Sequence, residues 1–93
     1  MSTKAKIRVA VARHEKSEWQ LNGQEIELSA PLKSSVGKLK AVLAKLTLLP
    51  PNKQKLHLDA VGFLKDGLSL AAYNVADGTV IALDVKERGR RRR

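Results

Sequence analysis

The 93-residue sequence predicts an α+β domain in which one main helix packs on a mixed sheet of four to five strands. Three observations carry this. Apolar and polar residues alternate over 7–11, 26–28 and 81–85, the period of a half-buried strand. Val36, Leu39, Val42, Leu43 and Leu46 recur at three- and four-residue spacing, which makes one face of a helix. Between these runs stand turn pairs and prolines, so each element has a stated beginning and end.

In the first strand Ile7, Val9 and Val11 alternate with Arg8, Ala10 and Ala12, and residues 13–17 form a polar loop. Trp19 and Leu21 precede Asn22-Gly23, a strong tight-turn pair, and stand as either a strand arm or a packed loop. Ile26 and Leu28 alternate with Glu25, Glu27 and Ser29 in a second strand that Pro31 closes. Ser34 and Ser35 offer N-cap hydroxyls for the helix, Lys38, Lys40 and Lys45 fall off its apolar face, and Pro50-Pro51 stops it. Leu56 and Leu58 flank His57 in a short third strand, which Val61 and Phe63 extend or follow with a brief fourth. Asp66-Gly67 and Asp77-Gly78 are turns around a short helical or irregular segment holding Leu68, Leu70 and Tyr73. Ile81, Leu83 and Val85 then form the last strand, and the segment from Lys86 to Arg93 follows it without a linker.

With one Trp, one Tyr and one Phe, the core must be aliphatic. A chain of this size buries somewhat more than ~60% of its unfolded surface, enough for one modest core. No cysteine is present, which excludes disulfides and thiolate metal sites and fits a reducing compartment. No apolar run approaches the ~18 residues of a membrane span, and the N-terminus leads into a strand pattern, so the chain reads as soluble and intracellular.

The formal charge is +9. Residues 86–93 hold six basic residues and one acid, and the remainder of the chain carries a net +4. This balance favours a polyanion, either nucleic acid or an anionic membrane surface, against a tail that serves only solubility or nuclear import. The division expected is a folded domain over 1–87 and an arginine-rich tail over 88–93.

Several segments carry a resemblance: Leu49-Pro50-Pro51-Asn52-Lys53-Gln54-Lys55-Leu56, Lys65-Asp66-Gly67 and Leu70-Ala71-Ala72-Tyr73-Asn74. Helix, proline step, Gln-basic-Leu strand and Tyr-Asn turn occur in this order in ubiquitin-like, β-grasp domains. Adding Glu18-Trp19-Gln20-Leu21-Asn22-Gly23-Gln24 and Leu83-Asp84-Val85-Lys86-Glu87-Arg88-Gly89, the chain resembles the C-terminal ubiquitin-like domain of the largest subunit of splicing factor 3a. That resemblance implies a nuclear, non-catalytic module that binds a stem-loop of the small nuclear RNA recognising the 5′ splice site. It also implies other splicing-factor subunits as partners if the chain is part of a longer one. The tail departs from the family: Arg90 stands where a second glycine is usual, and four consecutive arginines close it.

A ubiquitin-type modifier needs an exposed diglycine, and this chain has no Gly-Gly. By analogy with ubiquitin, the apolar patch that ubiquitin receptors grip is replaced here by His57 and Asp84. His14 and His57 lie in separate segments, and no phosphate-binding glycine loop or metal-ligand spacing occurs, so neither an enzyme nor a cofactor is expected.

RNA binding has the most support. Lys53 and Lys55 alternate on a strand beside the last one in the expected fold, where Lys86 stands, and together they form a basic ledge leading into Arg88, Gly89, Arg90, Arg91, Arg92 and Arg93. Arginine forks suit phosphate oxygens and guanine edges. A lysine-rich edge that discourages strand pairing is the competing account of Lys53 and Lys55. Phe63 and Tyr73 are candidates to stack one loop base, against core packing, and Trp19 reads as a plug over one end of the sheet. The alternative function is a protein-interaction domain with a basic nuclear-import tail. The domain is expected to be monomeric and without a membrane role.

Overall fold

The structure is a computed structural model that describes residues 4–14 and 19–86. Its elements are β1 (Lys4–Val11), β2 (Glu25–Pro31), α1 (Val36–Thr47), β3 (Gln54–Leu58), β4 (Gly62–Phe63) and β5 (Val80–Val85), with single 3₁₀ turns at Pro51–Lys53 and Ala71–Tyr73. The five strands form one sheet in the order β2-β1-β5-β3-β4. β1 and β5 run parallel at its centre, and the other neighbours are antiparallel. This is the β-grasp arrangement, one helix laid on one face of a mixed sheet.

Alternation decides which face each strand residue takes. Ala5, Ile7, Val9 and Val11 of β1, Ile81, Leu83 and Val85 of β5, and Leu56 and Leu58 of β3 are buried. They meet Val36, Leu39 and Leu43 of α1 in one cluster, which Trp19, Leu21, Leu49, Leu64, Leu70 and Val75 complete from the loops. Trp19 and Leu21 therefore belong to a packed loop, which among the described residues is tied by an isolated bridge between Arg13 and Asn22. Gly23 sits at φ +75°, the left-handed conformation that the Asn-Gly pair supplies cheaply.

Ser35 caps α1: its Oγ accepts from the Lys38 N–H at 3.2 Å. At the other end Leu48 takes φ 66° and donates its N–H to the Ala44 carbonyl. Thr47, fully buried, donates its hydroxyl to the Leu43 carbonyl at 2.7 Å and accepts from the Leu49 N–H.

Two expectations about α1 need correction. Val42 and Leu46 are exposed at 45% and 48%, whereas Lys40 is buried. The buried face of α1 runs through Val36, Leu39, Lys40, Leu43 and Thr47, so it is rotated from the apolar stripe and leaves Val42 and Leu46 outside. Lys40 turns inward because Asp66, far away in sequence, meets its ammonium at 2.7 Å.

Candidate nucleic-acid interface

The face of the sheet opposite α1 collects the outward residues of each strand. Register places Lys55 of β3 opposite Asp84 of β5, and His57 between Ala82 of β5 and Phe63 of β4. Phe63 is 62% exposed, so it is a surface ring and not core packing. Its ring lies 5.4 Å from that of His57, tilted by 60°, and the Lys55 Nζ stands 5.0 Å from its centroid. A cation over a ring face gains from the ring quadrupole, about 0.5–1 kcal/mol at an exposed site. The pair thus holds a charge and an open aromatic surface side by side.

Lys53 does not lie on a strand as expected. Pro51 opens a 3₁₀ turn, the Lys53 N–H donates to the Pro50 carbonyl at 2.9 Å, and β3 begins only at Gln54. The Lys53 ammonium leans towards Trp19, 5.8 Å from its ring. Its carbonyl nevertheless accepts from the Lys86 N–H at 2.6 Å, so Lys53 and Lys86 adjoin where β5 ends. Gln54 is buried beneath this junction, with Nε2 donating to the carbonyls of Lys40 (2.8 Å) and Leu49 (3.0 Å). It ties the end of α1 to the start of β3 and thereby fixes the position of Lys55.

Beside Phe63 a groove of about 570 Å³ is lined by Lys40, Lys55, Lys65, Lys86, Phe63 and Asp66, among others. The ion pair of Lys40 with Asp66 cancels at its floor. The charge offered outward comes from Lys55, Lys65 and Lys86, with Asp84 opposite Lys55 as the opposing charge. Lys65 was not among the residues the sequence singled out, since its triplet reads first as an Asp-Gly turn. Its backbone N–H donates to the Tyr73 hydroxyl at 2.8 Å. Tyr73 is half-buried against the core, and the hydroxyl props the loop that carries Lys65, just past Phe63 of β4. The structure thus brings Lys55, Phe63 and Lys86 around one groove, sets Lys53 at its margin, and gives Tyr73 a supporting contact behind it. Arg88, Gly89, Arg90, Arg91, Arg92 and Arg93 lie outside the described residues.

Among the described residues no group of three His, Asp or Glu is placed to hold a metal ion. His57 approaches Asp59 only at 4.0 Å, and Asp59 is fully exposed. No helix among the described residues is long and apolar enough to cross a membrane.

Comparison with known proteins agrees with this architecture. Residues 16–88 match the model of the ubiquitin family. Splicing factor 3A subunit 1 from Homo sapiens is 44% identical over 79 residues, which cover 85% of this chain and 10% of that protein. The probable splicing factor 3A subunit 1 of Arabidopsis thaliana is 47% identical over 73 residues, covering 77% and 9%. The chain therefore spans about a tenth of the length of the curated relatives it matches. A solution structure of a ubiquitin-like domain in a splicing factor superposes with a TM-score of 0.72 at 41% identity, over 92% of this chain and 72% of that one. One helix on a five-stranded mixed sheet and a family match over most of the chain lead to one conclusion: the chain belongs to the ubiquitin family.

Proposed function

We propose that this chain is a non-catalytic RNA-binding module of a pre-mRNA splicing factor, acting in the nucleus. The observation that carries the reading is the grouping of Lys55, Phe63, Lys65 and Lys86 around one groove at the root of the arginine run. Phosphate contacts need cations spaced along a surface, and an unstacked loop base needs an open ring. This groove offers both within a few ångströms. In this reading residues 1–87 form the body that seats on a stem-loop, and residues 88–93 order along the RNA backbone. A segment rich in arginine that folds as it binds suits the deep, narrow major groove of A-form RNA. The resemblance to splicing factor 3a points to the small nuclear RNA of the 5′-splice-site particle as the source of that stem-loop. The similarity to splicing factor 3A subunit 1 likewise points to other subunits of that factor as neighbours.

The test is hairpin-RNA affinity across a salt series, for the full chain and for a chain ending at residue 87. If the tail makes about three phosphate contacts, its removal flattens the salt slope by roughly 2 to 3 log units per log unit. In parallel, Lys55→Ala with Lys65→Ala, and Lys53→Ala with Lys86→Ala, weaken binding while the domain stays folded. Wild-type affinity in all of these variants would refute the interface. A protein partner that survives nuclease treatment in pull-down, together with no hairpin binding, would favour an interaction domain with a nuclear-import tail.

A further inference from the structure

One row of residues runs straight across the open face of the sheet. Register sets Ala10 of β1 beside Ala82 of β5, Ala82 beside His57 of β3, and His57 beside Phe63 of β4. Each points outward, because Val11, Leu83, Leu58 and Leu64, their neighbours in the chain, are buried. The row is two methyl groups, then an imidazole, then a phenyl ring. It makes a low floor that ends in a step of two rings.

The imidazole tilts 60° to the phenyl ring at 5.4 Å, so it borders that ring and leaves it 62% exposed. The Lys55 ammonium borders the same ring at 5.0 Å. Lys55 and His57 are two residues apart on β3, about 6.5 Å by the rise of a strand. Successive phosphates of an extended nucleic-acid strand stand at a similar distance. On its other side His57 meets the Ala82 methyl, which leaves space above the floor, and the imidazole side chain is 37% exposed. Asp59 Oδ1 is 4.0 Å from Nδ1, beyond hydrogen-bond distance. His57 is thus placed to take a ligand, and it is not a wall of the lysine-lined groove.

Histidine is the side chain whose charge ordinarily changes between pH 5 and 8, where lysine, arginine and carboxylates ordinarily do not. The charged groups that face His57 are Lys55 and Asp59 on β3, Asp84 on β5, Lys65 past β4, and Arg8 on β1, which is paired with Glu25 and Glu27. Apart from the paired Arg8 these are two cations and two anions, so a proton on His57 decides the sign of this part of the surface. An imidazolium has two N–H donors and no acceptor, which suits a phosphate oxygen.

We propose that His57 is a proton-linked contact of the RNA site, an inference that rests on the RNA-binding reading above. The base of one unpaired nucleotide stacks on Phe63. One flanking phosphate meets the Lys55 ammonium, and the next meets the His57 imidazolium. The phosphate favours the charged ring and the charged ring favours the phosphate, so RNA binding and proton binding are linked. The sign follows: the contact is complete at the acid end, where the ring is charged, and is lost as pH rises towards 8.

The probe is an RNA hairpin with a loop of unpaired uridines, whose bases do not titrate in this range. Its affinity for the full chain is measured at constant ionic strength from about pH 5.5 to about pH 8. Wild type binds roughly tenfold tighter at the acid end, the scale of one charge-assisted hydrogen bond. His57→Gln binds with the weaker affinity throughout, within twofold across the range. His57→Lys binds with the tighter affinity throughout. His14→Gln, which changes the other histidine, keeps the wild-type pH dependence. All three variants keep the wild-type far-ultraviolet circular dichroism. Calorimetry in two buffers of different ionisation enthalpy shows proton uptake on binding by wild type and none by His57→Gln. Wild-type binding that is flat with pH, or a pH dependence that survives in His57→Gln, would overturn the role of His57 and leave the RNA-binding reading standing. A wild-type chain that binds no hairpin at any pH would remove that reading, and this inference with it.

Discussion

The ion pair between Lys40 and Asp66 is asymmetric, and that asymmetry makes a sharp prediction. The Lys40 side chain is only 9% exposed, whereas that of Asp66 is 64% exposed, and they meet at 2.7 Å. Removing the exposed partner leaves a buried ammonium without its anion. Removing the buried partner leaves a carboxylate that water solvates. Asp66→Ala should therefore cost about 3 kcal/mol, the low end for breaking a buried pair. Lys40→Met keeps the length and volume of the side chain and leaves the backbone carbonyl that Gln54 uses, so it should cost below about 1 kcal/mol. The double variant should resemble Lys40→Met alone, giving a coupling of about 3 kcal/mol. For a domain of this size Asp66→Ala lowers the melting temperature by about 15 °C. Urea denaturation of the four proteins measures the cycle, with an unchanged slope showing that the unfolded state is not responsible. If Lys40→Met costs as much as Asp66→Ala, or the two effects simply add, burial does not govern this pair and the reasoning fails.

Three further outcomes are expected. Leu48 is a non-glycine residue at φ 66° with an exposed side chain, so Leu48→Gly should stabilise the domain by about 0.5–1 kcal/mol, visible as a raised calorimetric melting temperature; a lowered one contradicts the strain argument. Phe63→Ala should change stability by less than about 0.5 kcal/mol because the ring is exposed, yet weaken hairpin RNA by about tenfold, as loss of one stacked base does. Asp84→Asn keeps the acceptor for the Val85 N–H and removes the negative charge opposite Lys55, so RNA should bind roughly threefold tighter at low salt, with the gain fading as salt rises.

Much of the architecture could be read from periodicity and punctuation. The alternation in β1, β2 and β5, the Ser35 cap and the proline step at Pro50 all report local backbone chemistry, and each lies where that chemistry places it. What could not be read depends on distant partners. Nothing near Lys40 in sequence shows that Asp66 will receive it, so its burial is invisible to helical spacing. Val42 and Leu46 look like core because they extend an apolar stripe, and only the rotation of the helix on the sheet, which buries Lys40 and Thr47 instead, leaves them outside. For Phe63 the sequence left a stacking ring and a core ring both open, and only the fold, in which β4 is an edge strand two residues long, turns the ring outward. The basic ledge was legible as charge, but its depth was not, since Lys65 joins it through the Tyr73 hydroxyl and not through strand alternation.

The parallel pairing at the middle of the sheet has a consequence for how the molecule is made. Arg8 to Val11 lie beside Val80 to Leu83, about seventy positions later in the chain. A nascent polypeptide that has reached the turn at Gly78 holds β1, β2, α1, β3 and β4, but not the strand that separates β1 from β3. The two halves of the sheet have no hydrogen-bonded connection until β5 slots between them. Closure is therefore a late, long-range event, and it falls in the slow regime for small domains. Until then the core lacks Ile81, Leu83 and Val85, so loss of β5 should abolish cooperative unfolding of the domain before any ligand is tested.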